Sequence, residues 1–138
     1  DAQAWQSALA TEMQALLARP ASERETTLLV VPNALHDFVE FNDSLRQAEK
    51  ILRQLKLQGV LQIASFHPFY HFADTPADDI TNYTNRSPYP VFHLLREDSI
   101  DQAVAVFPEA KTIFEANIQT LRELGPSGWK ALGVGPSS

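Results

Sequence analysis

Three short apolar runs constrain the fold of this chain more than any other feature. They are residues 26–31 (TTLLVV), 60–66 (VLQIASF) and 91–96 (VFHLLR). Each is rich in β-branched residues and leucine, which favour buried strands. The first two flank residues 34–57, whose apolar side chains recur every three or four positions, as on an amphipathic helix. The centre of the sequence therefore predicts a strand–helix–strand unit.

Further helical patterns surround this unit. Periodicity predicts helices over residues 3–19 and 109–124, a short helix beginning after residue 98 or 99, and one turn of helix around Trp129. Asn33 is the predicted N-cap of the helix over residues 34–57, and Gly59 is its predicted left-handed C-terminal cap. Gly125 is predicted to end the helix over residues 109–124. This order of elements predicts an α+β fold, in which helices cover a small mixed sheet.

The connections between the runs predict the strand directions. We expect the first two strands to be parallel and joined by a right-handed crossover, and the third to pair antiparallel because it follows a loop. Three strands are few for so many helices, so we expect a fourth strand upstream of residue 1, which would complete a ferredoxin-like arrangement. The chain does not begin with Met and its helical pattern starts at once. We therefore expect residues 1–138 to form one α+β domain that lacks an N-terminal segment.

Composition limits the classes of function. Apolar residues make up 44% of the chain and charged residues 20%, which is typical of a globular protein. The net charge of −6 argues against nucleic-acid binding, which needs a basic surface. No apolar stretch approaches the roughly 20 residues that span a bilayer, and no secretory signal is present, so we expect a cytoplasmic protein with no membrane partner. The sequence specifies neither a cofactor nor an oligomeric state.

The expected site lies in and around the irregular segment 67–90. Residues 65–97 contain three of the four histidines and all three tyrosines. Loops longer than about 12–15 residues in compact domains are usually functional or disordered. If the first two strands run in one direction, their C-terminal ends and the beginning of the third strand meet at one end of the sheet. That end is where ligands of such sheets prefer to bind.

Our first hypothesis is a binding site for a small anion that carries a carboxylate or a phosphate. Arg86 would make a bidentate contact with the anion. His67 and His93 would act as general acid and base, because an imidazole titrates near neutral pH. The other predicted ligand-binding residues are His36, Asn85, Ser87 and Tyr89. The sequence leaves open whether the site is enzymatic, and it equally allows these side chains to bond only to the loop's own backbone.

Two alternatives use the same segment. A metal-dependent hydrolase would bind its metal through His67, His71 and His93, although Pro68 argues against the helix that a His-x3-His pair needs. A non-catalytic interaction module would dock a partner protein on residues 67–90, and an exposed apolar patch would favour it.

Three segments of the chain are similar to a known family. They are GVLQIASFHPFYHF at 59–72, DDITNYTNRSPYPVFHLLRE at 78–97 and NIQTLRELG at 117–125. They resemble a bacterial family of uncharacterised proteins, the domain of unknown function 1415 family, and the resemblance covers nearly the whole chain. The family has no established activity, so the resemblance implies no catalytic role for any residue. Its members usually carry an additional N-terminal segment with a Leu-Cys-Pro-Phe element, which implies that this chain lacks that segment.

Overall fold

A three-stranded antiparallel sheet organises the fold. It appears in a computed structural model that describes residues 3–107 and 109–134. The elements in chain order are α1 (Ala4–Leu17), β1 (Thr27–Val30), α2 (Phe38–Gln54), β2 (Leu61–Phe66), a 3₁₀ helix (Ile80–Asn85), β3 (Val91–Arg96), α3 (Glu97–Val106) and α4 (Ala110–Ala131). The α+β class is confirmed.

The strand order is β1-β3-β2, and both outer strands pair antiparallel with β3. The expected mixed sheet was wrong, because β3 lies between β1 and β2 and pairs antiparallel with both. The expectation that β1 and β2 run in the same direction is confirmed. Phe92 and Leu94 of β3 are fully buried, and Val91 on the opposite face is nearly so. A central strand is covered better than an edge strand. The strand with apolar side chains on both faces therefore gains the most free energy of burial when it lies at the centre of the sheet. The result is a split β-α-β unit, the element on which ferredoxin-like arrangements are built.

Helices α1 and α2 cover one face of the sheet. Trp5 of α1 stacks on Phe92 with 5.1 Å between ring centroids, and Phe41 of α2 lies 5.3 Å from the same ring. Leu9, Met13 and Leu16 of α1 are fully buried, as are Phe41 and Ala48 of α2. Full burial of a leucine, methionine or phenylalanine side chain contributes about 1.5–3 kcal/mol. The core therefore lies between these two helices and β3.

Helix α2 starts four residues later than the sequence predicts. Its N-cap is Asp37, whose side chain accepts a hydrogen bond from the Glu40 amide at 3.0 Å. The prediction of Asn33 was wrong because Leu35 is buried in the core with φ of 60°, a left-handed conformation that interrupts a helix.

The end of α2 also differs from the prediction. Lys56, with φ of 60°, takes the left-handed position just after the helix, and the Leu57 amide donates to the Leu52 carbonyl at 3.0 Å. Gly59 also has a positive φ, of 78°, but it lies in the turn before β2. The predicted C-cap at Gly59 was therefore three residues too late.

Arg96, at the end of β3, fixes the segment between α1 and β1. Its Nε donates to the Glu25 carbonyl at 3.2 Å. Its Nη2 donates to the carbonyls of Leu16, Arg19 and Arg24 at 2.9, 2.9 and 2.8 Å. One guanidinium thus satisfies four main-chain oxygens, including one in the last turn of α1, where a cation also suits the helix dipole.

The C-terminal half of α4 packs on the 3₁₀ helix. Trp129 meets the ring of Tyr83 edge-on at 5.0 Å, and Leu121 is buried. Gly125 breaks α4 with φ of 69° and ψ of 175°. The predicted end of a helix at Gly125, and a further helical turn around Trp129, are therefore confirmed. No helix among the described residues is long and apolar enough to cross a membrane.

Candidate functional site

The strand ends converge as predicted. In the sheet register, Val91 at the beginning of β3 lies between Val30 and Phe66, the last residues of β1 and β2. The segments that leave or enter these three strands therefore share one end of the sheet. We call this end the rim and define it by residues 31–37 and 67–90.

His67 is a buried member of the rim. Its Nε2–H donates to the Leu35 carbonyl at 2.9 Å, and its Nδ1 accepts from the Phe69 amide at 3.0 Å. The ring packs against Phe38 and Phe41 of α2, and none of it is exposed. Both nitrogens of the neutral ring therefore have main-chain partners, and His67 ties β2 to the turn before α2.

Burial also sets the charge of His67. It lowers the pKa of the imidazole, and the charges of His36 and Arg86 lower it further. The bond to the Leu35 carbonyl and the charge of Asp37 act in the opposite direction. Because the burial effect is the largest, His67 is neutral at neutral pH.

A buried asparagine organises the loop between His67 and the 3₁₀ helix. Asn82 accepts hydrogen bonds from the Phe72 amide at 2.9 Å and the Thr75 hydroxyl at 3.1 Å. It donates to the Pro76 carbonyl at 2.9 Å. Asn82 is fully buried. Its side-chain amide supplies the hydrogen bonds that these polar groups of the loop would otherwise find in a strand, a helix or water. Sequence analysis missed this residue, although the polar run TNYTN was the available signal.

Two of the predicted ligand-binding residues bond through their side chains to the protein's own backbone, and a third is exposed. Asn85 donates to the Ser65 carbonyl at 3.1 Å, and its own carbonyl accepts from the His67 amide. Ser87 donates to the Tyr89 carbonyl at 2.6 Å. Tyr89 is 46% exposed. Asn85 and Ser87 thus fix the shape of the rim, while Tyr89 is accessible at its surface.

Arg86 is held firmly but without a carboxylate. Its Nε donates to the Tyr70 carbonyl at 2.9 Å, one Nη donates to the Ala77 carbonyl at 3.5 Å, and the guanidinium lies 4.4 Å from the centroid of the Tyr83 ring. Burial lowers its pKa, and the interaction with the Tyr83 side chain partly offsets this. Among the residues that the structure describes, no carboxylate forms an ion pair with Arg86.

This arrangement leaves donors free on Arg86. Arginine carries five N–H groups, and the hydrogen bonds of Arg86 to the Tyr70 and Ala77 carbonyls use two of them. A guanidinium with further N–H groups is the kind of donor that binds a carboxylate or phosphate. His36 is exposed, and its charge and that of Arg86 both act on His67. His36 and Arg86 therefore both lie within electrostatic range of His67 at the rim.

His93 lies apart from these residues. Phe92 faces the helices, so His93, the next residue along β3, points to the opposite face of the sheet. The Thr26 hydroxyl donates to the Leu94 carbonyl, so its oxygen accepts from His93 Nε2 at 2.8 Å. Burial lowers the pKa of His93. The structure thus separates His93 from His67, which packs on the helix side.

The alternative of a metal site does not match this geometry. His67 and His93 are on opposite faces of the sheet, and both nitrogens of His67 already have partners. His71 uses Nε2 to contact the Thr75 carbonyl. No group of three or more histidine, cysteine or acidic side chains suited to a metal ion occurs within residues 3–107 and 109–134.

The architecture defines an α+β protein with one helix-covered and one open sheet face and a polar rim at the ends of its strands. The chain belongs to the family described as protein of unknown function (DUF1415), whose sequence profile matches residues 1–131. The resemblance seen in the sequence is therefore confirmed. No curated protein and no solved structure matches the chain.

Proposed function

We propose that the rim binds a small anion bearing a carboxylate or a phosphate, with Arg86 as the principal contact. One observation carries the proposal: a half-buried guanidinium, fixed by main-chain oxygens and an aromatic ring, has no acidic partner in the described part of an acidic chain. Keeping a cation partly desolvated without a counter-charge is costly. Binding an anion would offset that cost.

The surroundings of Arg86 support an anion beside it and not at the nearby helix. The N-terminus of α2 already carries the carboxylate of Asp37 as its cap, which occupies the place that an anion would take. His36, exposed next to this cap, would contact the far side of the ligand, and Tyr89 would supply an accessible ring and hydroxyl. The ligand would thus lie between the 3₁₀ helix and the turn before α2.

The proposal concerns binding. The acid–base roles of His67 and His93 stay predictions that no observation tests. Within the proposal, His67 acts as a positioning residue, because its two hydrogen bonds hold the turn that carries His36.

The experiment is a titration of isotopically labelled protein with inorganic phosphate and, separately, with malonate, followed by amide chemical shifts. We expect saturable shifts in residues 67–90 and around His36. Arg86→Gln should weaken binding about 10- to 100-fold, because it removes a charged hydrogen bond worth about 1.5–3 kcal/mol. Arg46→Gln, a change at an exposed arginine on α2, is the control and should leave the affinity unchanged.

Two results would contradict the proposal. One is the absence of saturable shifts at the rim for both anions. The other is equal affinity in Arg86→Gln and Arg46→Gln, which would place the anion elsewhere.

A second candidate function, docking of a partner protein on residues 67–90, is favoured by a different observation. Phe69 is 63% exposed within this segment, and Tyr89 is also accessible. Exposed aromatic side chains are frequent anchors of protein interfaces. Under this function, Phe69→Ser would abolish capture of the partner while Arg86→Gln would not, whereas anion binding predicts that only Arg86→Gln changes phosphate affinity.

A further inference from the structure

Strand β1 forms an open edge of the sheet. It pairs with β3 on one side, and the strand order places no described strand on its other side. The Val31 amide donates to the Pro90 carbonyl at 2.9 Å, so residue 31 directs its backbone groups toward β3. Because these directions alternate along an antiparallel strand, Leu28 and Val30 direct their N–H and C=O groups away from the sheet.

The edge lacks the features that usually block strand pairing. Residues 27–30, TLLV, contain no charge and no proline, and the side chains of Leu28 and Val30 are 59% and 47% exposed. Natural edge strands are commonly protected by lysine, proline, a bulge or a covering loop. An uncharged edge with free backbone groups is instead a template for another strand.

The surface beside this edge can accept a neighbour. A cavity of about 390 Å³ lies between the first two turns of α1 and the end of β1, lined by Ala4, Trp5, Ala8 and residues 29–34. Ala4 and Ala8 are one helical turn apart and leave little side-chain bulk there. A second helix could therefore approach α1 closely on that side.

We propose that two copies of the chain associate through β1, antiparallel across a twofold axis, to form a continuous six-stranded sheet. With Leu29 on the axis, Leu28 of one protomer lies opposite Val30 of its partner, and the outward backbone groups form four hydrogen bonds. The same register places Leu28 and Val30 in side-chain contact on the open face of the sheet.

Proline helps to fix this register. Pro32 has no N–H, so a shift that brings residue 32 opposite Leu28 loses a hydrogen bond. The strand complements itself, since the outward residues of one copy are the partners that the other copy needs. A second copy therefore satisfies the edge with no further component.

Sedimentation equilibrium tests the association. A contact this small is at the low end of specific interfaces, so the 138-residue chain should dimerise with a dissociation constant on the order of 10–100 μM. Val30→Lys and Leu28→Lys should each weaken it at least tenfold, because each brings a charge into the interface. Val39→Lys on α2, at a valine that is 68% exposed, is the matched control and should leave it unchanged.

Cysteine cross-linking tests the register. The sequence contains no cysteine, so any disulfide must form between the introduced residues. A mixture of Leu28→Cys and Val30→Cys chains should form the mixed disulfide in preference to either homodimer. Preferential homodimers would overturn the register. If the chain stays monomeric at protein concentrations up to about ten times the expected dissociation constant, the association is overturned. The edge would then be left to a fourth strand of the same polypeptide. Equal dimerisation of Val30→Lys, Leu28→Lys and Val39→Lys would overturn the β1 interface.

Discussion

Replacement of Arg96 by Met should destabilise the protein more than any other change of an accessible arginine described above. The guanidinium donates to four carbonyls from the end of α1 and the segment before β1. Methionine keeps much of the apolar stem but no donor. The two ends of the connection between α1 and β1 would then lose their common anchor.

The magnitude follows from the number of donors. Nε carries one hydrogen and Nη2 two, so three N–H groups serve four oxygens and one of them is shared. Each charged hydrogen bond contributes about 1.5–3 kcal/mol where water cannot replace it, and less where it can. Arg96 is half-buried, so we expect a total loss of about 2–4 kcal/mol in the free energy of unfolding. For a chain of this length that corresponds to a fall in Tm of roughly 8–16 °C.

Urea unfolding followed by circular dichroism measures the effect directly. Arg46→Met, at an exposed position on α2, is the matched control and should change the free energy of unfolding by less than about 0.5 kcal/mol. Arg96→Lys should fall between the two, because an ammonium keeps the charge but cannot reach the same set of oxygens. A loss in Arg96→Met no larger than in Arg46→Met would refute the reasoning.

Three further expectations concern the rim and the kink in α4. Because burial lowers the pKa of His67 below its ordinary value of 6.5, the unfolded chain binds a proton that the folded chain does not, and the free energy of unfolding should fall as the pH drops below about 6.5. His67→Gln should reduce this slope in urea unfolding at several pH values, whereas Arg46→Gln on α2 should not; equal slopes in the two variants would contradict the assignment. Asn82→Ala should cost about 3 kcal/mol and speed amide hydrogen exchange across residues 67–79, since it removes the shared partner of buried groups. Gly125→Ala should cost about 2 kcal/mol in the same unfolding assay through backbone strain alone, because φ of 69° with ψ of 175° suits glycine and no atom lies within 4 Å of the added Cβ.

The elements of this fold were predictable from sequence because their signals are local. Periods of about 3.6 and runs of β-branched residues depend only on neighbouring positions, so each predicted helix and strand is present. The positions of caps depend on distant contacts. Leu35 adopts its left-handed conformation while buried in the core, and residues 33–37 alone do not show that such a site exists.

The order of the strands in the sheet, and which side chains of each strand face the helices, were harder to predict from the sequence. The convergence of strand ends at the rim is confirmed, because it requires only that β1 and β2 share a direction. The separation of His67 from His93 depends on which face of β3 the helices cover. Since Phe92 faces α1 and α2, His93 must face the other way, and this parity is visible only after the helices are placed.

The central position of β3 determines the order in which the sheet can assemble. Among the three strands that the structure describes, neither β1 nor β2 has a hydrogen-bonded neighbour until residues 91–96 exist, and Thr27 must find Leu94 across more than sixty intervening residues. A nascent chain leaving the ribosome can form its early helices, but the described strands form no ladder before β3 emerges. Closure of so long a loop makes sheet formation the slow step of folding, and the exposed β1 would be open to incorrect partners throughout that interval.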